Sequence, residues 1–369
     1  MNRRAFNKNM GLMLGAAALG GFQWSCGKKV ERQISVFDGA GFPHPPEPEF
    51  RVQLTDRVIS DLHSAGYRML QSTVGTVGAG EDLFKRSMAD IERIHGEVAA
   101  FPDTVQIVQS AADLETVYQS EKVGLIMGFQ DTRQLEKRVE NIDRFYEVGV
   151  RCIQLTYNLD NHAGSGCLSD VDGGLKPFGY EVIERMRDRG ILLDLSHASR
   201  KTTRDSLQNA DYPVAITHSG CDAVFSHPRN NPDDTLKMLA DRGGVIGIYF
   251  MPFLCAKGTA RSEDLIAHIE HAINVCGEEG VGIGTDNATH TAPYSEEDLR
   301  MWNEELKKRK EAGISAPREE ADSFLYIEDL YTPRRFYDLA DLLSRRGHSE
   351  SRIEKILGGN FRRLFSEVI

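Results

Sequence analysis

Residues 190–220 read GILLDLSHASRKTTRDSLQNADYPVAITHSG, and this stretch decides the fold. It leaves a glycine, runs through an apolar β-prone segment, turns at Ser196–Ser199, continues with helical periodicity over 199–210 and returns to a second apolar run that ends at His218. Strand, helix and strand in so short a span form one βαβ unit, because parallel strands need a crossover of a dozen residues or more. The unit recurs in both directions. Apolar runs predict strands near 33–37, 68–73, 123–129, 151–156, 191–195, 213–217, 244–249 and 281–285. Helix-period stretches fill 81–99, 134–148, 177–189, 199–210, 232–242 and 262–278, and Gly149, Gly190, Gly243 and Gly280 stand just before strands. Eight such units predict an α/β chain closed into one (β/α)8 TIM-like barrel. No GxGxxG follows the first strand, which argues against an open dinucleotide-binding sheet. A run near 104–108 predicts an inserted strand, and the polar stretch 293–325 predicts a solvated helix and loop. Helices over 333–346 and 350–365 form a C-terminal extension, the second broken at Gly358-Gly359.

The whole chain has 369 residues, 40% hydrophobic and 27% charged, enough to bury a sizeable core. Its 55 acidic residues against 44 Lys plus Arg give a formal charge of −11, which counts against a nucleic-acid partner and points to small molecules. Residues 1–26 read as an export signal: Arg3-Arg4 with Phe6, then an uncharged run from Met10 to Ser25. That run is too short for a membrane-spanning helix, which needs about 20 apolar residues. The pattern resembles a twin-arginine signal, and Trp24-Ser25-Cys26-Gly27 resembles a lipoprotein box that would leave Cys26 lipidated. The expected location is periplasmic or membrane-anchored, the membrane being reached only through that lipid, with residues 33–369 forming the single barrel domain. The other cysteines, Cys152, Cys167, Cys221, Cys255 and Cys276, have no CxxC spacing. Cys152 and Cys276 read as core residues, and one bridge between Cys167 and Cys221 stays open.

A barrel of this kind builds its active site at the C-terminal ends of its strands. The residues that follow the eight runs are Asp38, Thr73, Gln130, Tyr157, His197, His218, Tyr249 and Asp286. Two imidazoles on adjacent strands, His197 and His218, together with the carboxylate of Asp286, can converge on a divalent ion, with zinc the first choice, leaving a position open for water. His44, His162 and His290 lie in loops near the same mouth, and Asp38 is the most plausible spare carboxylate. His268 and His271 have a metal-like spacing on a helix outside the barrel wall and read as structural, while His63, His95 and His348 have ordinary helix contexts.

The segments GVRCIQLTYN (149–158), GGLKPFGYEVIERMRDRGILLDLSHAS (173–199), AITHSG (215–220), HPRN (227–230), GGVIGIYFMPF (243–253), VGIGTD (281–286) and GGNFRRLF (358–365) resemble the membrane (renal) dipeptidase family of the amidohydrolase superfamily. The resemblance extends over about residues 33–369. It implies a metallohydrolase that cleaves dipeptides with two zinc ions bridged by a glutamate and a hydroxide, usually as a dimer. By that resemblance His197 and His218 serve one zinc position, Asp286 accepts the proton of the attacking water, and Arg229 holds the substrate carboxylate. Tyr157 and Asn158, in LTYN, occupy substrate-facing positions. The departures are equally specific. Ala40 and Phe42 stand where the family has a His-x-Asp pair, Gln130 replaces the bridging glutamate, and Tyr157 replaces the histidine that polarises the substrate. An amide donates one oxygen but bridges two cations poorly, and a low-dielectric pocket short of anions does not hold a second dication. One metal at most is expected, on His197, His218 and either Gln130 or Asp286, with Tyr157 as a donor to a developing oxyanion. The expected function is a metal-dependent hydrolase of a dipeptide or related amide. The alternative is a barrel that binds a peptide-like ligand without turnover.

Overall fold

Runs that are apolar on both faces become strands that are buried on both faces. In a computed structural model, residues 32–44, 52–75, 77, 80–291, 296–321 and 324–369 are described; the export signal and Cys26 lie outside them. Gln33–Ile369 forms one unit, separate from Met1–Arg32. Its strands are β1 (Val36–Asp38), β2 (Gly41–Phe42), β3 (Tyr67–Thr73), β4 (Val105–Ile107), β5 (Val123–Phe129), β6 (Val150–Gln154), β7 (Leu192–Asp194), β8 (Ala215–Ser219), β9 (Val245–Ile248), β10 (Val281–Ile283) and β11 (Asn287–Ala288). Parallel pairing runs β1, β3, β5, β6, β7, β8, β9, β10 and back to β1, which closes the eight-stranded barrel. The inserted strand is β4: it pairs with Val123–Leu125 of β5, on the edge that β6 takes over from Met127 onward. At the mouth β2 and β11 pair with each other.

Alternation along the strands divides the core in two. Phe37, Met69, Ile126, Cys152, Leu192, Ala215 and Val245 point inward, one from each of seven barrel strands, while neighbours such as Leu70, Leu125, Ile153, Leu193 and Ile246 pack under the helices. The outer layer comprises α1 (Asp56–Ala65), α2 (Leu83–Ala99), α3 (Ala111–Tyr118), α4 (Asn141–Glu147), α5 (Pro177–Arg189), α6 (Arg200–Asn209), α7 (Asp233–Ala240) and α8 (Ser262–Cys276). After the last barrel strand come α9 (Glu296–Glu311), α10 (Arg335–Arg345), α11 (Glu350–Glu354) and α12 (Asn360–Val368). Local chemistry sets the ends. Ser199 accepts from the Thr202 amide to start α6, and Gly66 and Gly190 adopt the left-handed conformation that ends α1 and α5.

Two expectations need correction, and one point left open is settled. The helix expected over 134–148 is a short 3-10 turn at Arg133–Leu135 and then α4, because Glu136 and Lys137 adopt positive φ (49° and 61°) between them. Gly358-Gly359 do not break the last helix. The chain passes from α11 to α12 through a π-helical turn at Lys355–Gly359, and Gly358 lies so close to β1 that a Cβ there would come within 2.7 Å of the Ser35 carbonyl oxygen. No Cys167–Cys221 bridge forms: both thiols are free, Cys221 hydrogen-bonding the His268 carbonyl and Cys167 the Asn158 side chain. Cys152 is buried in the barrel interior, as expected, and Cys276 packs partly buried against the core.

Candidate active site

The C-terminal ends of the strands surround a cavity of about 310 Å3, at the small end of the roughly 300–1,000 Å3 usual for small-molecule sites. Gln130, Tyr157, His197, Arg229 and Asp286 line it from the barrel, and Trp302, Glu305, Arg309 and Glu319 from the segment above.

His197 and His218 are brought together as the sequence implies, and their tautomers follow from what holds each ring. His197 Nδ1 lies 2.6 Å from Asn158 Oδ1, an acceptor, so the Nδ1 proton points to Asn158. His218 Nδ1 lies 2.8 Å from Thr217 Oγ1, whose own proton goes to Asp194 Oδ2 at 2.6 Å, so the threonine oxygen accepts from His218. Each neutral imidazole therefore presents an unprotonated Nε2, and the two Nε2 atoms face each other at 3.0 Å. A shared proton would relieve that opposition, but burial, then the Arg229 charge, holds both imidazoles well below the usual histidine range. Two converging lone pairs that reject a proton fit a divalent ion, and their outer nitrogens are already fixed as ligand histidines require. Backbone proximity makes the arrangement specific: a Cβ on Gly284 or Gly247 would sit 1.8 or 2.0 Å from the Thr217 carbonyl oxygen. His197 and Asp286 both adopt left-handed backbone, φ 62° and 56°. That conformation costs a non-glycine residue about 1–3 kcal/mol and is concentrated at functional sites.

Asp286 is half-buried and lines the cavity, and its carboxylate has no hydrogen-bond partner among the described residues. Burial pushes its carboxyl up to about 7, against the opposing pull of Arg229 and Arg309. Arg229 is 3% exposed and makes no ion pair with a described carboxylate; one guanidinium nitrogen donates to the His218 carbonyl at 3.4 Å. Arg229 is therefore a buried guanidinium at the cavity wall and not a member of a surface ion pair, an arrangement whose charge would favour an anion there.

Within the stretch 293–325 the described residues form the expected helix, α9, and a loop, largely exposed to solvent, but one side of them also roofs the cavity. Trp302, Leu306 and Arg309 fall on one face of α9, and Leu306 is buried. Arg309 grips Glu319 with two hydrogen bonds of 2.7 and 2.8 Å and donates to the Tyr157 hydroxyl at 3.2 Å. The Asn158 amide donates to the Ile314 carbonyl at 2.7 Å, and His227 meets the Pro317 carbonyl at 2.9 Å. Arg309, Glu319 and Trp302 are thus site residues that the sequence reading missed. The i, i+4, i+7 spacing of Trp302, Leu306 and Arg309 inside a charged helix was the available signal.

Other assignments change as well. Asp38 is no spare ligand: its oxygens accept from the Thr285 amide (2.8 Å), the Thr285 hydroxyl (2.6 Å) and the Ala40 amide (3.1 Å), which clamps β1 to the segment after β10. Asn158 does not face substrate, because its amide is divided between His197 and Ile314. Asp286 shares the cavity with the histidine pair, yet no three His, Cys, Asp or Glu side chains among the described residues group as a metal site. Its backbone is tied to Ala40 and its carboxylate answers to Arg229, so it stands beside the pair instead of completing it. Gln130 lines the cavity and Tyr157 stacks on His197 with ring centroids 4.3 Å apart. His44 and His290 pack edge to face on each other away from the cavity, and His162 is exposed. His268 is structural, fixed by the Cys221 amide and the Leu254 carbonyl, and His271 pairs with Asp233.

Comparison with known proteins gives a consistent picture. The model of the membrane dipeptidase family (peptidase family M19) matches residues 57–309. Dipeptidase verJ of Clonostachys rogersoniana is 30% identical over 212 residues, 57% of this chain and 55% of that protein. An uncharacterized dipeptidase of Schizosaccharomyces pombe is 32% identical over 214 residues, 56% of this chain and 51% of that one. The chain spans about half the length of the curated relatives it matches. Among solved structures, an amidohydrolase from Pseudomonas aeruginosa is 28% identical with a TM-score of 0.77, covering 91% of this chain and 96% of its own. A metallopeptidase from Rhodobacter sphaeroides, solved with a phosphinate mimic of the dipeptide L-Ala-D-Ala, shares the fold at a TM-score of 0.74 and 16% identity, over 92% of this chain and all of its own.

Proposed function

The chain belongs to the membrane dipeptidase family, and from that membership we propose that it hydrolyses the amide bond of a dipeptide or a close analogue with the help of one divalent ion. The observation that carries the reading is the pair of proton-rejecting Nε2 atoms, 3.0 Å apart, next to a cavity that also holds an unpaired guanidinium and a carboxyl poised near neutrality. His197 and His218 would hold the ion, zinc being the natural candidate for two imidazoles. When bound, it supplies positive charge that polarises water and carbonyl oxygen. The chain's own groups do the rest. Arg229 binds the substrate's terminal carboxylate. Asp286, with a carboxyl near 7, takes a proton from the attacking water and returns it to the leaving amine, a role best served by a pKa close to the working pH. A cavity of about 310 Å3 beneath a roof suits a substrate the size of a dipeptide. With Asp38 engaged by Thr285, Gln130 neutral and no third acidic or histidine ligand grouped among the described residues, the site is short of the anions that a second dication would call for, which supports the reading of one ion.

Elemental mass spectrometry of zinc-repleted protein, with a panel of dipeptides assayed beside it, tests the proposal. We expect about one ion per chain, lost in the His197→Ala/His218→Ala variant, and a fall in kcat of about 10²–10⁴-fold in Asp286→Asn, the usual contribution of a general base. Undiminished turnover in the double histidine variant would overturn the metal mechanism. Ligand binding with no turnover of any dipeptide would favour a binding protein. The export reading of residues 1–26 is proposed with it: fractionation should place the chain beyond the inner membrane, and Cys26→Ser should release it from membranes if the cysteine is lipidated.

A further inference from the structure

Tyr157 stands where the family resemblance places a histidine, and Arg309, on the roof, is bonded to it. Nη2 of Arg309 donates to the phenolic oxygen at 3.2 Å, so the phenol's own proton is directed elsewhere. No described residue accepts that proton, and the side chain lines the cavity. Both partners are held in place. The Tyr157 ring stacks on His197 at an interplanar angle of 27°, and Arg309 is fixed by its two bonds to Glu319 and by the Ile314 carbonyl. We propose that Arg309 is a positioning residue that makes Tyr157 the hydrogen-bond donor to the scissile carbonyl oxygen as negative charge grows on it.

The inference rests on the amide-hydrolase reading above. Its physical content is replacement: a site with room for one dication at most recovers electrophilic help from a phenol backed by a guanidinium, preorganised in a water-poor cavity. The proton stays on the phenol throughout, so no transfer step is added. Glu319 has a matching part. By neutralising Arg309 it leaves Arg229 as the cavity's unpaired cation among the described residues, which keeps the substrate carboxylate at one end and the carbonyl at Tyr157.

Removing Arg309 alone would strand the buried Glu319, so the informative variant is Arg309→Met with Glu319→Gln, which removes both charges together. Tyr157→Phe should lower kcat by about 10²–10³-fold with little change in KM, the usual loss for one oxyanion donor. Arg309→Met/Glu319→Gln should lower kcat by roughly tenfold but add nothing in the Tyr157→Phe background, and Arg309→Lys should recover most of the rate. A second readout uses metal-free protein and calorimetry: the phosphinic analogue of alanyl-alanine, whose tetrahedral oxygen imitates the oxyanion, against alanyl-alanine itself. Both sets of substitutions should weaken the phosphinate selectively. Independent, multiplicative losses in the combined variant, or equal weakening of both ligands, would overturn the proposal. A wild-type chain that turns over no dipeptide yet shows the selective phosphinate dependence overturns the hydrolase assignment and leaves the donor pair standing. Hydrolysis undisturbed by either set of substitutions overturns the donor pair alone.

Discussion

Two ring nitrogens facing each other at 3.0 Å owe their state to atoms behind them: Asn158 for His197, and Thr217 backed by Asp194 for His218. Because a hydrogen bond on the far nitrogen fixes the tautomer and raises ligand basicity, Thr217→Val should weaken zinc binding by about 10–100-fold in a chelator competition. An unchanged dissociation constant would refute the tautomer argument. A carboxylate in a similar clamp gives a second residue-scale prediction. Burial pushes the Asp38 carboxyl up to about 6 from an ordinary 3.8, in spite of its bonds to Thr285 and Ala40. A raised acid pKa means that the folded state holds the proton more tightly than the unfolded chain. The stabilisation is complete below about 4 and is lost as pH rises through about 6. Relative to wild type, Asp38→Asn should therefore gain stability with rising pH between 4 and 6, by on the order of 2–3 kcal/mol, and then level off. Urea unfolding at pH 4, 5, 6 and 7.5 checks it, and a constant difference across that range would show that the carboxyl is not shifted.

At the scale of elements the roof is the instructive case. α9 buries one narrow face, and its most enclosed cation, the partly buried Arg309, finds its anion only ten residues further on, so composition alone presents a solvated charged helix. The barrel strands were legible for the opposite reason: buried on both faces, they read as continuous apolar runs bounded by turn residues. Of the site, His197, His218 and Asp286 were legible because strand ends are where such a barrel keeps its chemistry, whereas Arg229, in the loop after β8, was legible only through the family resemblance. The roles of Asp38 and Asn158 were not. Both stand at strand ends like the true cavity residues, and only the positions of Thr285 and Ile314, far away in sequence, show that their polar atoms are already engaged. The roof also carries a testable imperfection. The Trp302 indole nitrogen is buried without a hydrogen-bond partner among the described residues, and an unsatisfied donor costs roughly 1–3 kcal/mol. Trp302→Phe keeps most of the packing and discards the donor, so its thermal unfolding midpoint should equal or exceed that of wild type. A clear drop would mean that the indole makes a bond in solution.

Across the whole molecule, chemistry and stability sit at opposite ends of one barrel. The cavity occupies the C-terminal ends of the strands, whereas α12 closes the other end: Asn360 donates to the carbonyls of Glu278 and Val281, at the start of β10, and Phe361 and Phe365 pack on Phe37 inside the barrel, with ring centroids 5.8 and 5.1 Å from it. Those rings belong to the same buried cluster as the inward residues of the strands, so the last helix fills the barrel instead of decorating it. Phe365→Ala empties a buried aromatic site and should cost about 3–5 kcal/mol of unfolding free energy. The eight strands that aim His197, His218 and Asp286 are bonded into a closed ring that does not pass through α12. The folded fraction of this variant should therefore keep its zinc affinity and, per folded molecule, its kcat/KM within about twofold, while Tyr157→Phe should keep stability and zinc affinity and lose kcat/KM. Denaturant unfolding paired with a chelator competition on the same samples separates the two. If Phe365→Ala lost zinc affinity in step with stability, the two ends would be coupled through the barrel interior, and the division of labour between them would be wrong.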